Sequence, residues 1–193
     1  DPESVDYVAD HIEQGVGDIF YILSKKHGNV FRWSLSSRSY GPSIPLTGTP
    51  SHMTYSAELD RLYVAYSSGK ITKIDVGSGS IVEDGFVNSP QTPRGLATAG
   101  KYLFVCDPSG AWVSHFTYNE HGGLVDQQDW NHYSHEYKWS ARNKKMYFFR
   151  DDTSPNDLLW EDISDDGKIG AKQDSPYHSS TGITHPIRVK PDG

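Results

Sequence analysis

Cysteine is almost missing from this chain. Cys106 stands alone among 193 residues, so no disulfide can form within it. It sits in the apolar run YLFVCD. That setting predicts a buried, inert thiol, because a reactive one needs an electropositive, partly open site. Long apolar runs are missing too: nothing approaches the ~18 residues that a membrane-spanning helix needs, so no membrane insertion is expected. Clusters of basic residues are absent. The balance is 18 Lys+Arg against 25 Asp+Glu, a net charge of −7. Phosphate backbones demand a concentrated basic face, so nucleic acid is excluded as a partner. Helical periodicity is nearly absent as well. The best helix candidate, ESVDYVADHIEQ, aligns with the leading strands of later units and reads as a strand followed by a loop. The chain starts at Asp rather than Met and shows no signal peptide, which suggests a mature, trimmed or excised segment.

What is present is aromatic and full of turns. Hydrophobic content is only 35%, yet there are twelve Tyr and five Trp, with 18 Gly and 11 Pro. That mixture favours β-structure with many tight turns. A repeat runs through it. Apolar runs FYIL (from Phe20), LYVA (from Leu62), LFVC (from Leu103) and MYFF (from Met146) start 42, 41 and 43 residues apart. Each is followed by a turn and a second strand: GNVFRWSL, GKITKIDV, GAWVSHFT and NDLLWEDI. A polar turn and a short strand come next: SIPL, SIVEDGFV, GLVDQQDW and KIGAKQ. A leading element precedes each apolar run: VDYVAD, PSHMTYS, PRGLATA and EYKWSA. A fifth copy begins at His185 with HPIRVKPDG.

Four short strands per repeat, joined by hairpin-length turns, predict an all-β chain of β-propeller blades. A blade cannot bury both its faces alone and must pack on its neighbours. The expected blades cover about 5–48, 49–90, 91–133 and 134–184, with 185–193 as the inner strand of a next one. Each apolar run is then a mid-blade strand covered on both faces. The stretch TPRGLATAGKYLFVCDPSGAWVSHFT resembles the NHL and YVTN-type propeller repeats, with a proline opening the inner strand and an aspartate after the second. Those families usually have six to eight blades. The resemblance therefore implies a piece of a larger propeller, completed by further blades or by self-association. The competing architecture is a closed four-bladed ring of hemopexin type. That family usually ties its first and last blades with a disulfide, which one cysteine cannot make.

Candidate chemistry is sparse. In DISDDGKIG, Asp162, Ser164 and Asp166 fall at the first, third and fifth positions of a calcium loop, but Gln173 stands where a bidentate Glu is required. The same stretch occupies the slot of a hairpin turn, and Asp-Gly is a favoured turn pair. Calcium is therefore a secondary expectation beside a plain turn, and no other cofactor is expected. His132 and His135 form H-x-x-H, with His178 and His185 further on, but neighbours three apart on a strand face opposite ways. No nucleophile elbow, phosphate loop or catalytic dyad spacing occurs. In propellers, ligands sit at one end of the central channel, on inner strands and the loops that lead into them. The corresponding residues are Asp10, His52, Arg94, Tyr137, Lys138, His185 and Arg188. Trp130, Tyr133, Tyr137 and Tyr177 are candidate exposed anchors.

The expected function is a non-catalytic binding or scaffolding module that recognises a peptide, a glycan or a partner domain. The YVTN likeness and the acidic, Tyr/Trp-rich composition place it in a secreted, periplasmic or bacterial surface protein. The alternative is a propeller enzyme of lactonase, lyase or glycosidase type with an axial site, with or without a metal. Asp6, Asp10, Glu136, His52 and His185 are the groups that could serve it.

Overall fold

The computed structural model describes residues 8–108, 113–130, 136–149 and 156–179. Its regular structure is entirely β among these residues. The chain divides into two compact units, Asp1–Thr92 and Pro93–Gly193. Each unit holds two antiparallel meander sheets, and strand pairing follows chain order.

In the first unit, blade 1 comprises β1 (His11–Gln14), β2 (Ile19–Ser24), β3 (Asn29–Ser34), β4 (Ser39–Tyr40) and β5 (Ile44–Pro45). Both β4 and β5 pair with β3, so the outer strand of this blade is broken in two. Blade 2 comprises β6 (Pro50–Ser56), β7 (Arg61–Tyr66), β8 (Lys70–Asp75) and β9 (Ile81–Asn88). The second unit holds blade 3, with β10 (Gly95–Ala99), β11 (Tyr102–Asp107), β12 (Val113–Tyr118) and β13 (Leu124–Trp130). Blade 4 follows with β14 (Tyr137–Ser140), β15 (Lys145–Phe149), β16 (Asn156–Asp162) and β17 (Gln173–Ser179).

The four apolar runs are the second strands, β2, β7, β11 and β15. In blades 2 and 3 every residue from Leu62 to Tyr66 and from Leu103 to Asp107 is buried. Blade 1 differs. Tyr21 and Leu23 are buried, whereas Phe20 and Ile22 on the other face are only half-buried. Its far face also carries half-buried Phe31 and Trp33.

Two segments depart from the sequence expectation. The inner strand of blade 1 is HIEQ, not VDYVAD: β1 pairs His11 with Leu23 and Gln14 with Phe20. Residues 5–7 of VDYVAD lie outside the described residues, and Val8 to Asp10 are exposed and not in a strand. HIEQ alternates half-buried with exposed positions opposite β2, as the pleat requires. In blade 4 the outer strand is Gln173–Ser179 rather than KIGAKQ. Ile169 there makes only an isolated bridge to Ile163. The predicted fifth copy, 185–193, lies outside the described residues.

Packing between blades forms one core in each unit. In the first, Tyr21, Leu23 and Val30 of blade 1 meet Met53, Leu62, Val64 and Ile74 of blade 2. In the second, Phe104, Cys106 and Val113 of blade 3 meet Tyr137, Met146, Phe148 and Leu159 of blade 4. Each fully buried side chain of this size contributes roughly 1.5–3 kcal/mol. Turns set the register. Gly69, between β7 and β8, has φ of 88°, and a Cβ there would run into the Ser89 carbonyl oxygen. Any other residue at Gly69 would strain the backbone and push away the segment after β9.

Candidate functional site

The residues expected at the ligand end of the channel have different surroundings where they are described. Asp10 is exposed and stands just before β1, where its Oδ2 accepts the Lys25 backbone N–H at 2.7 Å. It pins the β2–β3 turn. His52 is half-buried in β6, opposite Ala65. Arg94 is half-buried just before β10, and its backbone N–H donates to the Cys106 carbonyl at 2.8 Å. Lys138 is half-buried in β14, opposite Tyr147. His185, Arg188, Tyr133 and the His132–His135 pair lie outside the described residues.

Tyr137 requires a correction. It is 3% exposed and belongs to the core between blades 3 and 4, so it offers no surface to a ligand. Strand pairing puts it opposite Phe148, on the side of β14 that faces blade 3. Its ring packs against Phe104 at 5.1 Å and Phe148 at 5.2 Å between centroids.

The hydroxyl of Tyr137 belongs to a cluster that the sequence did not announce. His115, on β12, contacts Tyr137 Oη through Nε2 at 3.0 Å. Its Nδ1 lies 2.9 Å from each Glu161 carboxylate oxygen. His115 and Glu161 are fully buried. Burial by itself drives the imidazole toward its neutral form. The Glu161 charge, the Cys106 side chain and the hydrogen bond to Glu161 outweigh burial and hold the His115 pKa up at about 10. The ring is then an imidazolium, donating from Nδ1 to Glu161 and from Nε2 to Tyr137. Phe104 and Phe148 wall it in at 5.1 and 5.5 Å. An acid–base pair sealed in this way reaches no substrate; it joins blade 3 to blade 4.

The calcium-loop lookalike is a hairpin turn used as a clasp. Its backbone closes through Gly167 N–H to the Ser164 carbonyl at 2.9 Å and Gly170 N–H to the Asp162 carbonyl at 2.8 Å. Asp162 accepts from Lys145 at 2.6 Å and Gln173 at 2.8 Å, Asp165 from Lys144, and Asp166 from the Ser164 hydroxyl. These carboxylates therefore face basic and hydroxyl partners rather than one another. Blade 3 grips the turn. Thr117 Oγ1 donates to the Gly167 carbonyl at 2.6 Å, Gln128 Nε2 to the Ile169 carbonyl at 2.6 Å, and the Ile169 N–H to Asp126 at 2.8 Å. Among the described residues no three His, Cys, Asp or Glu side chains converge as a metal site would need. Cys106 is free and buried, as its apolar run predicts.

A sharper reading of the repeat exposes His115 and Glu161. At the blade positions they occupy, the first unit has Val30 and Ile74, and a charge in an inward-facing strand slot is the signal. The 41-residue spacing of Gly28, Gly69 and Gly110 hides it, because that alignment puts Trp112 in the slot. The strand after β11 starts only at Val113, and this brings His115 opposite Cys106.

No protein-family model matches the chain, and no curated protein matches it. Solved structures do match. A chain of hydrazine synthase from Kuenenia stuttgartiensis superposes with a TM-score of 0.70 at 13% identity, covering 89% of this chain and 50% of that one. The WD40 repeats of RRP9 superpose at 0.60 with 14% identity over 81% of this chain and 47% of that one. BamB from Moraxella catarrhalis superposes at 0.55 with 17% identity over 77% of this chain and 41% of that one. The chain thus spans about half the length of these structures. At such identities the likeness establishes the fold alone: this is an all-β chain of β-propeller blades.

Proposed function

We propose that the chain is a non-catalytic binding or scaffolding module of a secreted or surface protein, and that it recognises a peptide, a glycan or a partner domain. One observation carries this reading. Among the described residues, the fully buried acid–base cluster of His115, Glu161 and Tyr137 is closed to solvent and spends its hydrogen bonds internally. A structure from the mitotic checkpoint complex is among the propeller matches, at a TM-score of 0.56, which supports a role in protein assemblies.

The half-buried Phe20, Ile22, Phe31 and Trp33 on the far face of blade 1 add a second support. Aromatic sheet faces of this kind are covered by a neighbouring blade in a propeller. Further blades or a second copy of the chain would cover them here. The purified chain is then expected to self-associate in light scattering, and a thermostable monomer would count for a closed ring.

Peptide and glycan arrays test recognition itself. For any hit, Arg94→Ala and Lys138→Ala are expected to weaken binding at an unchanged melting temperature. Turnover of a lactone or glycoside that is lost in His52→Ala would replace this reading with the enzymatic one.

A further inference from the structure

Blade 1 opens a cleft where its outer strand breaks. β4 ends at Tyr40 and β5 begins at Ile44, and the residues between them bulge from β3. The Gly41 N–H still reaches the Arg32 carbonyl at 2.9 Å. Arg32 spans the gap: Nε donates to the Pro42 carbonyl at 2.6 Å and Nη1 to the Val76 carbonyl at 2.9 Å. The bulge and the turn after β8 frame a cleft of about 430 Å³, whose walls include Tyr21, Arg32, Ser37, Ser39 and Tyr40.

Arg32 is half-buried and has donors to spare. A guanidinium carries five N–H groups, and two of them serve these carbonyls. No carboxylate among the described residues pairs with it, although Arg61, Lys70 and Lys73 in the same unit all have acidic partners. No acidic residue is among the cleft's walls, and other acids of this unit are engaged elsewhere. Asp18 accepts from the Ser34 hydroxyl at 2.9 Å and the Ser36 N–H at 2.7 Å, and Asp60 accepts from Tyr55 at 2.6 Å. The second unit shows that the clasp needs no charge. Arg32 stands opposite Tyr21, and Thr117 stands opposite Phe104 at the same place in its blade. There a neutral hydroxyl holds the equivalent turn. The positive charge of Arg32 is therefore surplus to holding the blades together.

Around that charge the cleft offers hydroxyls and an aromatic ring. Ser37 and Ser39 are exposed and lie 2.8 Å apart, oxygen to oxygen. Tyr21, opposite Arg32 and on the same face of the sheet, also lines the cleft. A guanidinium fork suits a carboxylate, and serine hydroxyls beside an aromatic ring suit a hydroxylated carbon frame. We propose that this cleft binds a small hydroxylated carboxylate of the sugar-acid class, with Arg32 gripping the carboxylate and Ser37 and Ser39 meeting its hydroxyl groups. The cleft lies at the Ile19–Ser34 end of the sheet, whereas Asp10 sits at the Lys25 end, so the site does not depend on the binding face described above.

The test titrates the full chain with glucuronate, glucose, acetate and inorganic phosphate, followed by calorimetry and by amide and Arg Nε–H NMR shifts. Glucuronate is expected to bind at least about tenfold more tightly than glucose or acetate, with shifts at Arg32, Ser37 and Ser39. Arg32→Gln is expected to lose about tenfold or more at a nearly unchanged melting temperature. Equal binding of glucose or acetate, stronger binding of phosphate, or wild-type affinity in Arg32→Gln would each overturn the assignment. Should Arg32→Gln fail to fold, Ser39→Ala decides: a loss of about threefold supports the site, and unchanged affinity overturns it.

Discussion

Between blades 1 and 2, Val30, Ile74 and Met53 meet as apolar side chains; between blades 3 and 4 the same three places hold His115, Glu161 and Tyr137. Strand pairing fixes the correspondence. Val30 faces Leu23 as His115 faces Cys106, Ile74 faces Leu62 as Glu161 faces Met146, and Met53 faces Val64 as Tyr137 faces Phe148. One architecture is thus closed once by hydrophobic burial and once by a buried ion pair inside an aromatic cage. The difference shows that a blade interface specifies shape and burial, not polarity. A charge is tolerated if its partner is built in with it. At these three places the apolar interface gains from transfer out of water alone. The polar one carries a desolvation cost that the His115–Glu161 pair must offset, and it gains directional contacts that other blade pairings would not satisfy.

Breaking the pair should have the largest effect. Glu161→Ala leaves an unpartnered imidazolium in the core and is expected to cost about 3–5 kcal/mol in urea unfolding. Phe104→Ala, at a fully buried ring of the cage, belongs in the same range of roughly 3–5 kcal/mol. Installing the apolar solution instead, as His115→Val with Glu161→Ile, should be close to neutral or stabilise by about 1–4 kcal/mol. A double replacement as damaging as Glu161→Ala alone would show that the second interface cannot adopt the packing of the first.

Gly95 sharpens the comparison at the next level. In blade 1 the residue opposite Leu23 is His11; in blade 3 the residue opposite Cys106 is Gly95. A Cβ at Gly95 would run into the Tyr137 ring. The larger tyrosine at the Met53 place therefore requires a smaller residue across from it. Gly95→Ala should cost about 1–3 kcal/mol, and adding Tyr137→Met should recover part of that loss.

The pH dependence separates the interfaces further. The folded pKa of His115, about 10, lies above the 6.5 of a free imidazole. Its contribution is complete below about pH 6.5 and is lost as pH rises toward about 10. Melting temperature measured from pH 6 to 10 should fall in the native chain and fall less in the Val/Ile double variant. The smallest effect is expected at Lys144→Ala. Its ion pair with Asp165 is on the surface, with the acid 86% exposed, and stability should change by less than about 1 kcal/mol.

The repeat in the sequence determined most of this molecule. Apolar runs at Phe20, Leu62, Leu103 and Met146, with glycine turns after the first three, sufficed for sheet type, strand order and the identity of the central strands. These are local patterns, and alternation and turn chemistry act over a few residues. Fold-level consequences of length were harder to read. The later start of β12 put His115 into the interface, and the break between Tyr40 and Ile44 opened the Arg32 cleft. Both depend on how two strands pair, which no single strand contains. Tyr137 shows the limit best. Its aromatic ring and strand position suit a ligand face as well as a core. Only the packing of blade 4 against blade 3, with a histidine waiting for its hydroxyl, decided for the core. Sequence spacing fixes which side of a strand a residue takes, and tertiary structure decides what stands on that side.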